Sequence, residues 1–306
     1  MTEHPVDLAR LHRAFRRRVA LPAQRRFRPE TDVSVGRWTF RIDVRDHVIS
    51  SRLYLDEGFE TELQRIMRTA DLAGGVCVDI GANIGLHTLL LSELVGGEGR
   101  VIAFEPEERN YRLLTQNIRR NRALNIEAHR YAVGAERGTV RLALNDVNFG
   151  DHRVAPATAP GAQEVPLVTL DGHLATVPDG AIKLIKLDVQ GYECHVLKGA
   201  SETLLRNPDA LVLIEVYPSA LTTAGCSAIE LMERLRVAGL DGWEIHDNRV
   251  LPVAEPWVYE LIRARDVDLL LSRNTSLLRA LLERAYGVKL PAAGAHASVA
   301  RDRSRA

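Results

Sequence analysis

The chain has 306 residues, enough for one large α/β domain with an extension or for two small domains at roughly 150 residues each. A hydrophobic fraction of 46% and a charged fraction of 26% exclude disordered, fibrous and collagen-like classes. Forty basic residues balance forty acidic ones, so no overall field favours nucleic acid or an anionic surface as the main partner.

The balance hides a local asymmetry, because eight Arg fall between Arg10 and Arg28. Cys77, Cys194 and Cys226 are odd in number, far apart and without a CxxC pair. That argues against a disulfide framework or a zinc cluster and suits a reducing, cytoplasmic setting. No run of about 18 apolar residues occurs, and no apolar stretch follows the N-terminal arginines, so neither a membrane span nor a signal peptide is expected.

Taken in chain order, Leu8, Leu11, Phe15 and Val19 share one face of a basic amphipathic helix over 8–19, bounded by Pro22 and Pro29. Residues 33–54 alternate as a hairpin does, with Trp38, Phe40, Ile42 and Val44 on one face, followed by Val48, Ile49, Leu53 and Tyr54. Phe59, Leu63, Ile66, Met67 and Ala70 recur at helical spacing up to the Gly74-Gly75 break. Strands and helices then alternate: 76–80, 84–94, 100–104, 107–120 and 126–132, with a short hairpin over 138–144. After an aperiodic loop over 145–165 come 182–187, 192–206, 211–216 and 227–238, then strands 242–246 and 267–271 and a helix over 274–287. This predicts an α/β, Rossmann-like doubly wound, mostly parallel sheet over 58–290, with an N-terminal helix-hairpin extension over 1–57. A disordered tail is expected over 291–306.

The segment Asp79-Ile80-Gly81-Ala82-Asn83-Ile84-Gly85-Leu86-His87-Thr88 joins a buried strand to a helix, where glycines permit a tight turn and unpaired N–H groups can meet an anion. A dinucleotide fingerprint needs glycine at positions held here by Asn83 and Leu86, which weakens a nicotinamide or flavin reading. Asp79 can pair with an ammonium, and Glu105 at the next strand's end can accept from both hydroxyls of a ribose. A nucleoside with an amino-acid tail fits both, and S-adenosylmethionine is that ligand. Asp79, Gly81, Asn83, Gly85, Thr88, Glu105 and Asp188 are the expected donor-binding residues.

Those motifs, with Phe104-Glu105-Pro106, Thr169-Leu170-Asp171, Lys186-x-Asp188-x-Gln190-Gly191-Tyr192-Glu193 and Leu197-Lys198-Gly199-Ala200, resemble the FkbM-type methyltransferases over about residues 59–272. The resemblance implies a class I, seven-stranded sheet, S-adenosylmethionine as donor, and O-methylation of a sugar, polyketide or other secondary-metabolite hydroxyl. Gln190 stands where many members carry Glu.

Methyl transfer needs the acceptor oxygen held about 3 Å from the methyl and help with its proton. His152 is the leading base, oriented by Asp151 or another acid; Asp188 and Glu193 are its rivals. Asn148, Asp151, Glu215, Tyr217 and Trp257 are the expected acceptor-side residues. Without an adjacent Asp-Asp pair, no metal site is expected. The partner is then a small hydroxylated molecule rather than a nucleic acid, and a homodimer is admissible. An oxidoreductase using NAD and a non-catalytic binding protein on the same sheet are the alternatives.

Overall fold

The computed structural model describes residues 14–55, 60–156, 159–246, 248–253, 266–290 and 299–300. A π-helical turn, Arg16–Ala20, runs into α1 (Leu21–Phe27). Pro22 therefore sits in a first turn rather than ending the expected helix, at a position where its missing N–H costs nothing. Strands β1 (Glu30–Val35) and β2 (Trp38–Asp43) form an antiparallel hairpin closed at Val35 and Trp38. The 48–54 segment expected to continue this hairpin is instead a helix, α2 (Ile49–Leu55). Asp46 explains the change, since its carboxylate accepts from Val48 N–H at 3.1 Å and Ser50 N–H at 2.6 Å and so nucleates a helical turn.

Helix α3 (Thr61–Thr69) leads into β3 (Val76–Ile80), α4 (Leu86–Val95), β4 (Arg100–Phe104), α5 (Glu108–Arg120) and β5 (Ile126–His129). A small four-stranded sheet follows, built from β6 (Ala132–Val133), β7 (Gly138–Ala143), β8 (Arg153–Ala155) and β9 (Gln163–Val168) in the order β6-β9-β7-β8. The 138–144 hairpin and the aperiodic 145–165 loop are thus corrected to two-sided strand pairing around β7.

Helix α6 (Leu170–His173), β10 (Ile182–Leu187), α7 (Glu193–Lys198), α8 (Ser201–Arg206) and β11 (Leu211–Val216) return the chain to the main sheet. The single helix expected over 192–206 breaks at Gly199, where a Cβ would stand 2.0 Å from the Gly134 carbonyl oxygen. Helices α9 (Pro218–Thr223) and α10 (Ala228–Val237), strands β12 (Asp241–His246), β13 (Arg249–Pro252) and β14 (Val267–Ser272), and helix α11 (Thr275–Tyr286) complete the domain. A two-residue strand, β15 (Val299–Ala300), pairs with β13.

The main sheet runs β15-β13-β12-β14-β11-β10-β3-β4-β5, with β5, β4, β3, β10 and β11 parallel and β14 antiparallel to β11. It is the α/β, mainly parallel architecture expected. Alternate residues of each central strand feed two cores. Val78, Ile80 and Ile214 pack with α7 and α10, while Cys77, Leu184 and Leu213 pack with α3, α4 and α11. A third core joins the N-terminal hairpin and α2 to the main sheet's helices, because Phe40, Ile42 and Leu53 bury against Ile84, Leu89 and Leu113. Cys194 and Cys226 meet in a disulfide with Cα atoms 6.5 Å apart, while Cys77 is a buried free thiol. Unpaired cysteines were the expectation, and it fails at this pair because the shared core brings the two together across 32 residues of sequence. No helix among the described residues is long and apolar enough to cross a membrane.

Candidate active site

A cavity of about 370 Å³ opens at the carboxyl ends of β3, β4, β10 and β11. Here the chain, having run outward from β3 through β4 to β5, returns to the other side of β3 as β10. Such a switch point leaves a crevice because the flanking connections diverge. Its floor is set by the close approach of two loops. Gly81 has φ +82°, and a Cβ there would lie 1.8 Å from the Asp188 carbonyl oxygen. The glycine is needed for that backbone approach, not only for a ligand. Gly85, at φ +92°, turns its missing Cβ toward Leu114, 2.7 Å away. Gly85 and Thr88 lie outside the cavity lining, whereas Asp79, Gly81, Asn83, Glu105 and Asp188 are in it.

Thr88 acts one step back, donating to Asp79 Oδ2 at 2.6 Å. The other oxygen, Asp79 Oδ1, is buried without a hydrogen-bond partner, 3.9 Å from Lys186 Nζ. Glu105 holds the neighbouring strand end. Its Oε2 accepts from Asn83 N–H at 2.8 Å and its Oε1 from Glu107 N–H at 2.9 Å. Burial pushes the Glu105 carboxyl up to about 8, against the pull of those two N–H groups. Asn83 takes φ +50°, and its side chain donates to the Phe149 carbonyl at 3.2 Å, as Asn110 does at 2.7 Å.

Lys186, in the cavity wall but only 4% exposed, gathers the charge of the deep end. Burial alone would lower its pKa, but Asp188, Asp79, Glu60 and Glu215 together raise it, so it stays an ammonium. It donates to Asp188 Oδ2 at 3.1 Å, while Gln190 Nε2 donates to Asp188 Oδ1 at 2.6 Å. Asp188 is accordingly held ionised against its burial. Glu215, beside that carboxylate and itself half-buried, is pushed up to about 11 and shares its proton with Asp188. Across the cavity, Glu60 Oε2 lies 3.1 Å from His87 Nε2.

The loop after β7 forms the outer wall. His152 lines the cavity and stacks on Phe149 with ring centroids 6.2 Å apart. Its Nδ1 accepts from Asn145 N–H at 3.0 Å, which puts the proton of the neutral ring on Nε2, 4.0 Å from Glu107 Oε2. Burial lowers the His152 pKa. Asp151 does not orient it, since its oxygens accept from Arg153 Nε at 2.5 Å and Asn145 Nδ2 at 3.1 Å. Asn148, Glu215 and Tyr217 line the cavity and Asp151 does not. Glu193 is fully buried outside it, accepting from Gly191 N–H at 3.0 Å, where it braces the loop after β10. Trp257 lies outside the described residues. Among the described residues no group of three or more His, Cys, Asp or Glu could hold a metal ion.

Sequence reasoning passed over Lys186, Glu60, His87 and Arg52 as site residues. Lys186 carried a signal, a lysine near the buried end of an apolar strand two residues before Asp188 and so on the same face. Glu60 and Arg52 carried none, because they reach the cavity from outside the alternating pattern.

Residues 79–239 match the family described as the methyltransferase FkbM domain, and the chain, more than half of it covered, belongs to that family. Two relatives are similar at moderate identity. The hexuronic acid methyltransferase AglP of Haloferax volcanii is 27% identical over 59% of this chain and 66% of its own. The methyltransferase sdnD of Sordaria araneosa is 28% identical over 47% of this chain and 67% of its own. The chain therefore spans about two thirds of the length of these relatives. A SAM-dependent methyltransferase of known structure from Aquifex aeolicus is similar at 16% identity and a TM-score of 0.41, covering 72% of this chain and 92% of that one.

Proposed function

We propose that this chain moves the methyl group of S-adenosylmethionine to a hydroxyl of a small molecule, a sugar, polyketide or other secondary metabolite. The observation that carries the reading is the pair of acids on adjacent strand ends in one cavity: Asp79, with a buried oxygen lacking a partner, and Glu105, each of whose oxygens takes a single backbone N–H. A carboxylate oxygen accepts more than one hydrogen bond, so both acids retain acceptor capacity. Asp79 would hold the donor's ammonium and Glu105 its ribose, with Asn83 between them. The donor, when bound, supplies an electrophilic methyl on a sulfonium. The chain's own contribution is to position the acceptor, exclude water behind Phe149 and Tyr217, and take the proton.

Calorimetric titration with S-adenosylhomocysteine checks this directly. Glu105→Ala is expected to weaken binding about 2- to 12-fold for each ribose hydrogen bond lost, from the roughly 0.5–1.5 kcal/mol that such a bond carries. Unchanged affinity would move the donor out of this cavity.

Arg52 narrows the acceptor. It lines the cavity from α2 and has no ion-pair or hydrogen-bonding side-chain partner among the described residues, whereas Lys186 is fully engaged. A free guanidinium at the wall suits a carboxylate on the acceptor, which agrees with the hexuronic acid in the Haloferax relative's name. With D-glucuronic acid as probe, Arg52→Gln is expected to raise KM about tenfold or more, while the KM for its methyl ester stays within twofold. Equal effects on both would show that Arg52 does not read the carboxylate.

A further inference from the structure

We propose that Glu60 is the base that takes the acceptor's hydroxyl proton, at a point of the cavity wall where the buried ring of His87 lies beside its carboxylate. This rests on the methyl-transfer reading above. Four observations converge on it. First, Glu60 lines the cavity and is 27 residues before His87, so only the tertiary fold brings the two together. Second, its backbone takes φ +46° and ψ +45°, a left-handed conformation that a non-glycine residue adopts at a cost and that clusters at functional sites.

Third, Glu60 is the N-cap of α3, yet its side chain caps nothing. The side chain is therefore not committed to the helix end. Its Oε2 lies 3.1 Å from His87 Nε2. Fourth, His87 is buried and lines the cavity, and its Nε2, although 3.1 Å from Glu60 Oε2, makes no aligned hydrogen bond. Burial drives the His87 pKa down to about 3, so the ring is neutral and does not compete for the acceptor's proton.

The other candidates are committed elsewhere. Asp188 accepts from Lys186, Gln190 and Glu215; Glu193 lies outside the cavity; the free lone pair of His152 is occupied by Asn145 N–H. Glu60 faces His87 from α4, Lys186 from β10, Asp188 just after β10, Asp79 from β3, Glu215 from β11 and Asp268 from β14. Burial, outweighing Lys186 and reinforced by Asp188, Asp268 and Asp79, pushes its carboxyl up to about 8. A base with that value is strong enough to draw on a hydroxyl and is partly ionised at neutral pH.

The step balances. The acceptor oxygen forms a bond to the methyl carbon as the carbon–sulfur bond breaks, and the electron pair remains on sulfur as a thioether. The O–H proton passes to the Glu60 carboxylate and then to water.

The test uses the full chain and three readouts. Calorimetry with S-adenosylhomocysteine comes first: no binding by the wild type would sink the methyl-transfer reading itself, and the proposal with it. Next, carbon-13 NMR of glutamate-labelled protein, with Glu60→Gln identifying the signal, follows the Glu60 carboxyl. A midpoint between about pH 7 and 9 supports the proposal, and one below about pH 5.5 overturns it whatever the acceptor. Then methyl transfer to D-glucuronic acid is followed against pH. Glu60→Gln is expected to lower kcat at least 100-fold and abolish the acid limb of the profile, with acceptor KM and S-adenosylhomocysteine affinity within twofold; Glu60→Asp should recover part of the rate. A kcat within threefold of wild type in Glu60→Gln, with His152→Ala carrying the loss instead, would return the base to His152. If the wild type does not turn over this probe, the carboxyl titration decides.

Discussion

Lys186→Met is expected to cost about 3–5 kcal/mol of folding stability, the penalty of removing one partner from a buried ion pair. Among the described residues the ammonium is the single cation beside Asp79 and Asp188 at the cavity floor, and its side chain is 5% exposed. Methionine fills nearly the same volume, so the cost is that of leaving carboxylates without their counter-charge and not that of a void. Against a typical stability of about 5–15 kcal/mol, the loss is large. Urea unfolding at pH 7 would read it as a lowered midpoint with unchanged slope.

The pH dependence of the loss identifies its origin. In the wild type, Lys186 holds Asp188 below its usual range. Asp188 therefore contributes stability that is present above about pH 4 and is lost as the pH falls through its folded value. Without the ammonium, Asp188 rises and Asp79, already raised by burial, rises further. Protonation then relieves the variant on acidification. The deficit should be greatest at neutral pH and narrow toward about pH 5. A deficit independent of pH would assign the effect to packing.

Gly81→Ala should be comparably damaging for a different reason. The Asp188 carbonyl oxygen, 1.8 Å from the position a Cβ would take, belongs to backbone that β10 holds in register with β3, and φ at Gly81 is +82°. Neither strand end can yield without breaking the Asp188 N–H bond to the Ile80 carbonyl. Left-handed strain together with overpacking amounts to about 3–5 kcal/mol. Gly74→Ala is the control, since φ there is +68° but nothing lies within 4 Å of the added carbon; it should cost about 1–2 kcal/mol. Equal losses at both sites would mean that dihedral strain, not the meeting of the two loops, accounts for the Gly81 effect.

Much of the domain was legible because its signals are local. Buried parallel strands such as Val76–Ile80 and Ile182–Leu187 are short apolar runs flanked by helical periodicity, and their bounds survive unchanged in the structure. The Gly81 turn and the acids at positions 79, 105 and 188 announced the cavity edge for the same reason. Elsewhere local signals misled. Ile49–Leu55 alternates weakly enough to pass for a strand, and the Asp46 side chain decides for a helix. Residues 138–168 are poor in periodicity, yet they form a sheet because β7 finds β8 and β9 as partners on its two sides.

The sequence by itself determined the class of sheet, the place where its strand order reverses, and the loop chemistry there, since each depends on residues a few positions apart. Only the tertiary structure decided which side chains share the cavity. Glu60 meets His87, Arg52 reaches the wall from α2, and Asn145 claims the His152 nitrogen. Burial then set their charges, raising Glu60 and lowering His87, because desolvation depends on what packs around a group and not on its neighbours along the chain.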